Sequence, residues 1–363
     1  MPKSAYIHVP YCSSKCHYCS FVSFCDRSSV EKYLDCLDKE INHYYDGEAL
    51  KTIYTGGGTP SSLKPFQIKN ILDKFSYDKF CEKTIELNPE DIDNDYLSQL
   101  YDVGINRISL GCQTFDDEIL KTINRRHNSK KVKDSVRMAQ KIGFKNISLD
   151  FIYGLPNQTL RDFLDNLNEA VELDIAHISL YGLKIEEGCY FYKNPPKNLP
   201  DDDMQADMYL AAIENLINRG FEHYEVSNFS KPGFRSKHNL TYWKNEEYYG
   251  FGVAAHGYKN GIRYENKINI KDYLENPFEH RSETKLTKKD KLEEEIFLGF
   301  RIMDGIDVQK INQIYGCDFK NLYKDVLEKY LKYNLILPTQ NGYKLSPNGI
   351  LVSNDVLADF LLD

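Results

Sequence analysis

Six short strand-like runs, each followed by an amphipathic helical pattern, leave this chain of 363 residues few folds to choose from. The runs are Ala5–Val9, Thr52–Thr55, Thr84–Leu87, Arg107–Leu110, Ile147–Ile152 and His177–Leu183. Between them lie apolar stripes at three- and four-residue steps, such as Val30, Tyr33, Leu34, Leu37, Ile41 and Tyr44, or Phe163, Leu164, Leu167, Ala170 and Val171. Strands separated by helices pair in parallel, because the crossover returns the chain to the end at which the previous strand began. The expected architecture is therefore α/β, a parallel sheet curled into a partial (β/α)6 TIM-like barrel or a full one. In such barrels chemistry gathers at the C-terminal ends of the strands, in the loops that lead to the helices.

That rule selects the residues worth weighing. The loop after the first run carries Cys12, Cys16 and Cys19, spaced CxxxCxxC within YIHVPYCSSKCHYCSF. Iron–sulfur clusters are normally held by four thiolates, so three with no nearby fourth suit a 4Fe-4S cluster with one open iron. S-adenosylmethionine, a radical-generating cofactor, uses a site of that kind. The competing reading is half of a structural zinc site, which needs a second Cys or His pair. Cys25, Cys36, Cys81, Cys112, Cys189 and Cys317 supply no second close pair, and His17 is badly placed beside Cys16 to act as a fourth ligand. After the second run comes GGGTP, Gly56–Pro60, where missing Cβ atoms let a ligand approach the backbone and N–H groups meet a carboxylate. A tight turn would use the same glycines. Glu86 and Asn88 close the third run, Gln113 follows the fourth, Asp150 stands in the fifth and Tyr181 ends the sixth.

The composition is that of a globular protein with 41% hydrophobic and 28% charged residues, and no apolar run nears the roughly 18 residues of a membrane span. Nine cysteines do not make a secreted disulfide framework, and MPKSAYIHVP has no signal-peptide core. The expected compartment is the cytoplasm. A net charge of −8 argues against broad nucleic-acid binding.

Taken in order, YIHVPYCSSKCHYCSF, YTGGGTPSSL, IELNPEDID, GINRISLGCQTFDDEILKTINRRH, DFIYGLPNQT and HISLYGLKIEEG resemble the radical S-adenosylmethionine (radical SAM) proteins related to oxygen-independent coproporphyrinogen III dehydrogenase. YEVSNFSKPG and HNLTYW are similar to the HemW branch of that group, whose members are heme chaperones. The resemblance implies that Cys12, Cys16 and Cys19 hold a 4Fe-4S cluster whose open iron binds S-adenosylmethionine, with a 5′-deoxyadenosyl radical accessible on cluster reduction. It maps contacts to that cofactor onto Tyr6, Tyr18, Gly57, Gly58, Thr59, Glu86, Gln113, Arg125 and Asp150. Glu86 can accept from an ammonium or a ribose hydroxyl, and Arg125 can pair with a carboxylate through its planar fork. From the residues alone Arg125 reads equally as a surface helix cation, whereas Asp150, between Leu149 and Phe151, needs partners if buried.

Two departures from the dehydrogenase pattern point to the chaperone branch. Phe21 stands where the dehydrogenases carry a further cysteine, and the chain starts five residues before Tyr6, without their N-terminal extension. Both argue against oxidative decarboxylation of a porphyrinogen, which is kept as the alternative activity. HNLTYW holds the only tryptophan. His238, Tyr242 and Trp243 share a helix face at i, i+4 and i+5, and histidine is a common axial ligand of heme iron. The resemblance therefore puts heme at His238; a packed aromatic cluster around a hydrogen-bonded histidine is the plainer reading. His127, after an Arg pair, and His256, in a Gly-rich stretch, are weaker candidates. The partners implied are heme-accepting proteins, respiratory ones first, while homodimerisation and peripheral contact with membrane complexes stay open.

Three segments are expected: a barrel over residues 1–230, a connecting segment with HNLTYW over 231–284, and a small domain over 285–363. In the last, Thr287 and Asp290 have capping-box spacing, helical stripes follow, and Leu335–Leu337 and Tyr343–Leu345 flank Asn341-Gly342 as a hairpin. Ser346-Pro347 then opens a last helix. Helices followed by a hairpin read as a winged-helix-like unit. Its 11 basic and 12 acidic side chains give no footprint for phosphates, so a capping or interaction role is expected.

Overall fold

A computed structural model describes residues 1–362. Six parallel strands run side by side in chain order: β1 (Ser4–Val9), β2 (Leu50–Gly57), β3 (Tyr77–Leu87), β4 (Arg107–Gln113), β5 (Asn146–Tyr153) and β6 (His177–Gly182). Helices occupy every crossover: α1 (Val30–Tyr44), α2 (Pro65–Leu72), α3 (Asn94–Asp102), α4 (Asp117–Thr122) with α5 (Ser129–Ile142), and α6 (Leu160–Glu172). This is the parallel α/β order that the alternation predicts.

The strand sequences show why the sheet curls around a usable interior. Successive strand side chains point to opposite faces. One face carries Ile53, Ile85, Ile108, Leu110, Ile147, Leu149, Ile178 and Leu180, all buried in the main apolar core with the helix stripes. The other carries Tyr54, Glu86, Arg107, Ser109, Asp150, Ser179 and Tyr181, which line a cavity. Helix ends are fixed locally. Thr159 and Asp162 form a capping box that starts α6, and Asn128 caps α5.

Four further elements follow: α7 (Tyr190–Lys193), α8 (Asp202–Asn218), β7 (Glu222–Glu225) and β8 (Asn228–Ser230), β8 pairing antiparallel with β6. Residues 231–284 are then built into the barrel. Helix α9 (Lys237–Trp243) packs on β2, and β9 (Tyr249–Phe251) adds in parallel to β1, so the nine-stranded sheet runs from β7 to β9. The strands β10 (His256–Lys259), β11 (Ile262–Asn266) and β12 (His280–Lys285) form a separate antiparallel sheet, with α10 (Ile270–Glu275) between the last two.

The N-terminal ends of the barrel strands present polar groups that need partners once buried, and α9 supplies them. The Glu82 carboxylate accepts from the backbone N–H groups of Lys237 and His238, each at 3.1 Å, which meets the free donors of the helix N-terminus. Ser4 Oγ lies 3.0 Å from Thr241 Oγ1 and Thr52 Oγ1 2.8 Å from His238 Nδ1, while His177 Nε2 finds its partner on β7, 2.8 Å from the Tyr224 hydroxyl.

The C-terminal unit opens with α11 (Lys288–Gly299), started by the expected box, in which Thr287 accepts from the Asp290 N–H and Asp290 from the Thr287 N–H. Then come β13 (Ile306–Asp307), α12 (Val308–Tyr315), α13 (Phe319–Leu322), α14 (Lys324–Lys332) and the hairpin of β14 (Ile336–Pro338) and β15 (Gly342–Leu345). Its core of Ile296, Phe300, Ile311, Phe319 and Phe360 is continuous with that of the barrel. Residues 301–303 pair with the β7 segment through Val226 N–H to Arg301 O and Met303 N–H to Tyr224 O, covering a sheet edge that would otherwise be open. No helix among the described residues is long and apolar enough to cross a membrane.

One buried junction predicts a pH signature. Glu40 of α1 is 1% exposed and accepts from Gly252 N–H at 2.8 Å, Asn266 Nδ2 at 2.6 Å and the Tyr273 hydroxyl at 2.5 Å. Burial pushes its carboxyl up to about 7, against the pull of those three donors. The folded chain thus keeps a proton that the unfolded chain loses near pH 4.5, so the stability from this group is full below about pH 4.5 and is lost as pH rises through about 7. Glu40→Gln, which stays neutral, is expected to match the wild type at pH 5 and to exceed it by roughly 3 kcal/mol at pH 8 in urea unfolding. A mutant-to-wild-type difference that stays constant between those pH values excludes a titrating Glu40.

Candidate active site

The C-terminal ends of β1 to β6 enclose a cavity of about 430 Å³, and Cys12, Cys16 and Cys19 are all in its wall. Their loop is held by short-range bonds. Cys12 N–H donates to Phe24 O at 3.0 Å, Phe24 N–H returns to Pro10 O at 2.7 Å, and Cys19 N–H turns back to Cys16 O at 3.2 Å. Two thiols have side-chain donors: Thr59 Oγ1 lies 3.3 Å from Cys12 Sγ, and Arg125 Nη1 lies 3.4 Å from Cys16 Sγ. His17 faces away, with Nδ1 2.8 Å from Thr122 O and its ring stacked on Tyr190 at 4.1 Å. No other cysteine lines the cavity among the described residues.

The donor set fits a cluster better than one ion. Among the described residues no three Cys, His, Asp or Glu side chains converge on a point where a single metal could bind. The three thiols all line the cavity; a 4Fe-4S cluster takes one thiolate on each of three irons, while a zinc site draws four ligands to about 2.0–2.3 Å of one centre.

The lumen face supplies two carboxyls to the same cavity. Glu86 accepts from the Tyr54 hydroxyl at 2.7 Å and Gly57 N–H at 3.1 Å, and burial pushes its carboxyl up to about 7. Asp150 receives Ser109 Oγ at 3.0 Å from each oxygen, and burial raises its pKa as well. A cation or a hydroxyl donor placed between them would recover the stabilisation that desolvation removes from their ionised forms. Arg125 is no surface cation. Besides Cys16 it reaches Asn88 Oδ1 and Gly111 O, each at 2.8 Å, and its Nε is buried without a partner. Tyr18, Thr59 and Gln113 also line the cavity, and Gln113 has a positive φ of 68° at the end of β4.

The glycines act differently from the expected carboxylate cradle. Gly57 N–H is spent on Glu86, and Gly58 N–H on Val9 O at 2.9 Å. Gly57 has φ +109°, and a Cβ on Gly58 would lie 2.9 Å from Val9 O, so these positions let β2 turn tightly against the cysteine loop. Both still line the cavity.

Two of the expected residues stand apart from this cavity. Tyr6 does not line this cavity; its ring stacks on Tyr54 at 6.1 Å and its hydroxyl lies 3.1 Å from His8 Nδ1. His238 is 1% exposed at the N-terminal end of the barrel, where Thr52 Oγ1 and the Tyr242 hydroxyl, each at 2.8 Å, occupy both ring nitrogens. Burial lowers its pKa to about 3. The shared helix face of His238 and Tyr242 is real, but it closes the barrel and presents no nitrogen to an iron. Asn239, next in the motif, does line the main cavity.

Arg107, Ser109 and Ser179 are cavity residues that sequence reasoning passed over. Arg107 is 2% exposed and its Nε has no partner. Their signal was polar residues at every second position of otherwise apolar strands.

Comparison with known proteins agrees with this geometry. The radical SAM superfamily matches residues 6–170 and the HemN C-terminal domain residues 286–352. A protein of Lactococcus lactis named heme chaperone HemW is 40% identical over 372 residues, covering 100% of this chain and 98% of its own length. The Bacillus subtilis protein of that name is 39% identical, with 99% of each chain covered. The solved structure of coproporphyrinogen III oxidase (HemN) from Escherichia coli, a radical SAM enzyme, superposes with a TM-score of 0.87 at 24% identity over 99% of this chain and 90% of that one, a likeness of fold. With full-length relatives at this identity, the same two matching domains and three cysteines on one cavity wall, the chain belongs to the HemW family of the radical SAM superfamily.

Proposed function

We propose that this chain is a heme chaperone that carries a 4Fe-4S cluster on Cys12, Cys16 and Cys19, binds S-adenosylmethionine beside it, and passes heme to acceptor proteins, respiratory ones first among them. The observation that carries the reading is the convergence of those thiols with Glu86, Arg125 and Asp150 on one cavity, in a chain similar from end to end to proteins named heme chaperone. A cluster bound there supplies one-electron reducing chemistry to a ligand at its open iron. Glu86 and Asp150 hold the cationic and hydroxyl-bearing parts of that ligand, Arg125 orients the Cys16 side of the wall, and the apolar outer face keeps water from the strands. Phe21 replaces a cysteine of the related dehydrogenases and is 69% exposed on the cavity rim, which favours the chaperone over porphyrinogen decarboxylation.

Anaerobic reconstitution followed by separate titrations tests this. About four irons per chain, saturable S-adenosylmethionine binding and a Soret change with hemin are expected. Protoporphyrinogen formed from coproporphyrinogen with S-adenosylmethionine and a reductant, or a chain that leaves the hemin spectrum unchanged, sinks the chaperone reading.

A further inference from the structure

A second cavity, of about 710 Å³, lies behind the cysteine loop, within the roughly 300–1,000 Å³ of small-molecule sites. Phe21, Tyr242, Trp243, Tyr248, Phe297 and Leu298 form its apolar walls, contributed by the cysteine loop, α9, the segment before β9, and α11. Ser20 and Phe21 line this cavity and the main one, so a single stretch just past Cys19 separates the two. His8 fixes that partition through Nε2, 3.0 Å from Val22 O.

At the mouth stands His256, the first residue of β10. Its side chain is 67% exposed, and its nearest charged neighbour, Glu265 Oε1, is 3.9 Å from Nε2, too far for a hydrogen bond. Among the described residues every other histidine except His43 has a ring nitrogen within hydrogen-bond distance of a partner. His43 packs its ring on Tyr44 and Phe278, away from any apolar cavity described. An imidazole with both nitrogens uncommitted, at the edge of a cleft walled by aromatic rings, is what a flat apolar ring system carrying iron requires. The rings stack on its faces and a nitrogen reaches its metal.

We infer that this second cavity is the iron-porphyrin site of the chain, with His256, in place of His238, as the axial ligand. The inference rests on the heme-chaperone reading and names its site. On binding, an imidazole nitrogen of His256 donates its lone pair to ferric iron and displaces a water; no electron is transferred. Arg263, in the same wall, is committed to Glu294 at 2.8 Å, so the two carboxylates of the ring stay at the open mouth in water. The Phe21 partition puts the ring and the three thiols on two sides of one chain segment.

Hemin titration of the cluster-loaded chain, read by Soret position and affinity, tests this. His256→Gly is expected to lose the Soret shift and to weaken binding at least tenfold, and free imidazole to restore the shift. Phe21→Glu, at an exposed position that leaves the fold intact, is expected to weaken binding with the Soret shift retained. A wild type that binds hemin, with His256→Gly indistinguishable from it in spectrum and affinity, overturns the inference alone. A wild type that leaves the hemin spectrum unchanged overturns the chaperone reading and the inference with it.

Discussion

Cys16→Ala is expected to abolish the cluster, taking the iron content of the reconstituted chain from about four per chain to a small residual and removing its visible iron–sulfur absorption. The loop leaves little room for rescue. His17 is tied to Thr122 O and stacked on Tyr190, and no fourth cysteine lines the cavity among the described residues. Two thiolates hold a 4Fe-4S cluster poorly, because each iron that loses its ligand opens to solvent. The fold is expected to survive, since Cys16 is only half-buried and its partner Arg125 keeps Asn88 and Gly111 as acceptors. A melting temperature near that of the wild type, together with the loss of iron, separates loss of the cluster from unfolding. Cys12→Ala and Cys19→Ala should behave alike; Cys25→Ala, on an exposed residue outside the cavity, should keep its iron. Four irons retained in Cys16→Ala would remove the cluster assignment.

Arg125→Ala carries the second large effect. The guanidinium bridges Cys16 Sγ, Asn88 Oδ1 and Gly111 O, so its loss strips donors from three groups in the cavity wall. Hydrogen bonds to charged groups are worth about 1.5–3 kcal/mol each, and partners left buried and unpaired add their own penalty. S-adenosylmethionine affinity is expected to fall about a hundredfold, or about 2.8 kcal/mol, in a titration of the cluster-loaded chain. Arg125→Lys restores the charge but not the fork that reaches three acceptors, and should recover less than tenfold of the loss. Affinity unchanged in Arg125→Ala would mean that the residue only braces the loop and has no part in the ligand pocket.

Much of this site could be read before any coordinates. CxxxCxxC, the glycines of GGGTP, Glu86, Gln113 and Asp150 each fall at the C-terminal end of a strand, and parallel pairing brings those ends together. Glu86 and Asp150 were legible because a carboxyl in an apolar strand must be either paired or in use. Tyr6 and His238 lie outside the main cavity for a common reason. A motif fixes the identity of a residue and its neighbours along the chain, whereas its function depends on which way the side chain points and which groups from distant segments reach it first. Tyr6 precedes the cysteine loop by few residues yet turns its hydroxyl to His8, and His238 finds Thr52 from β2 before any ligand can. The glycine N–H groups were likewise claimed by Glu86 and Val9.

The amino-acid sequence by itself determined the parallel α/β order, because three- to four-residue periodicity between apolar runs is a local property that each segment carries alone. It determined the cysteine set and the capping box at Thr287 for the same reason. Tertiary structure alone decided that α9 closes the N-terminal end of the barrel, that β9 joins β1 across more than 200 intervening residues, and that Phe21, Trp243, Phe297 and His256 share one cleft. Those contacts join segments far apart in the chain, and competition among buried polar groups for partners settles them. A single segment holds no record of who its partners will be. His256 stayed inconspicuous in its glycine-rich stretch until the fold left its ring unpartnered beside an apolar cavity.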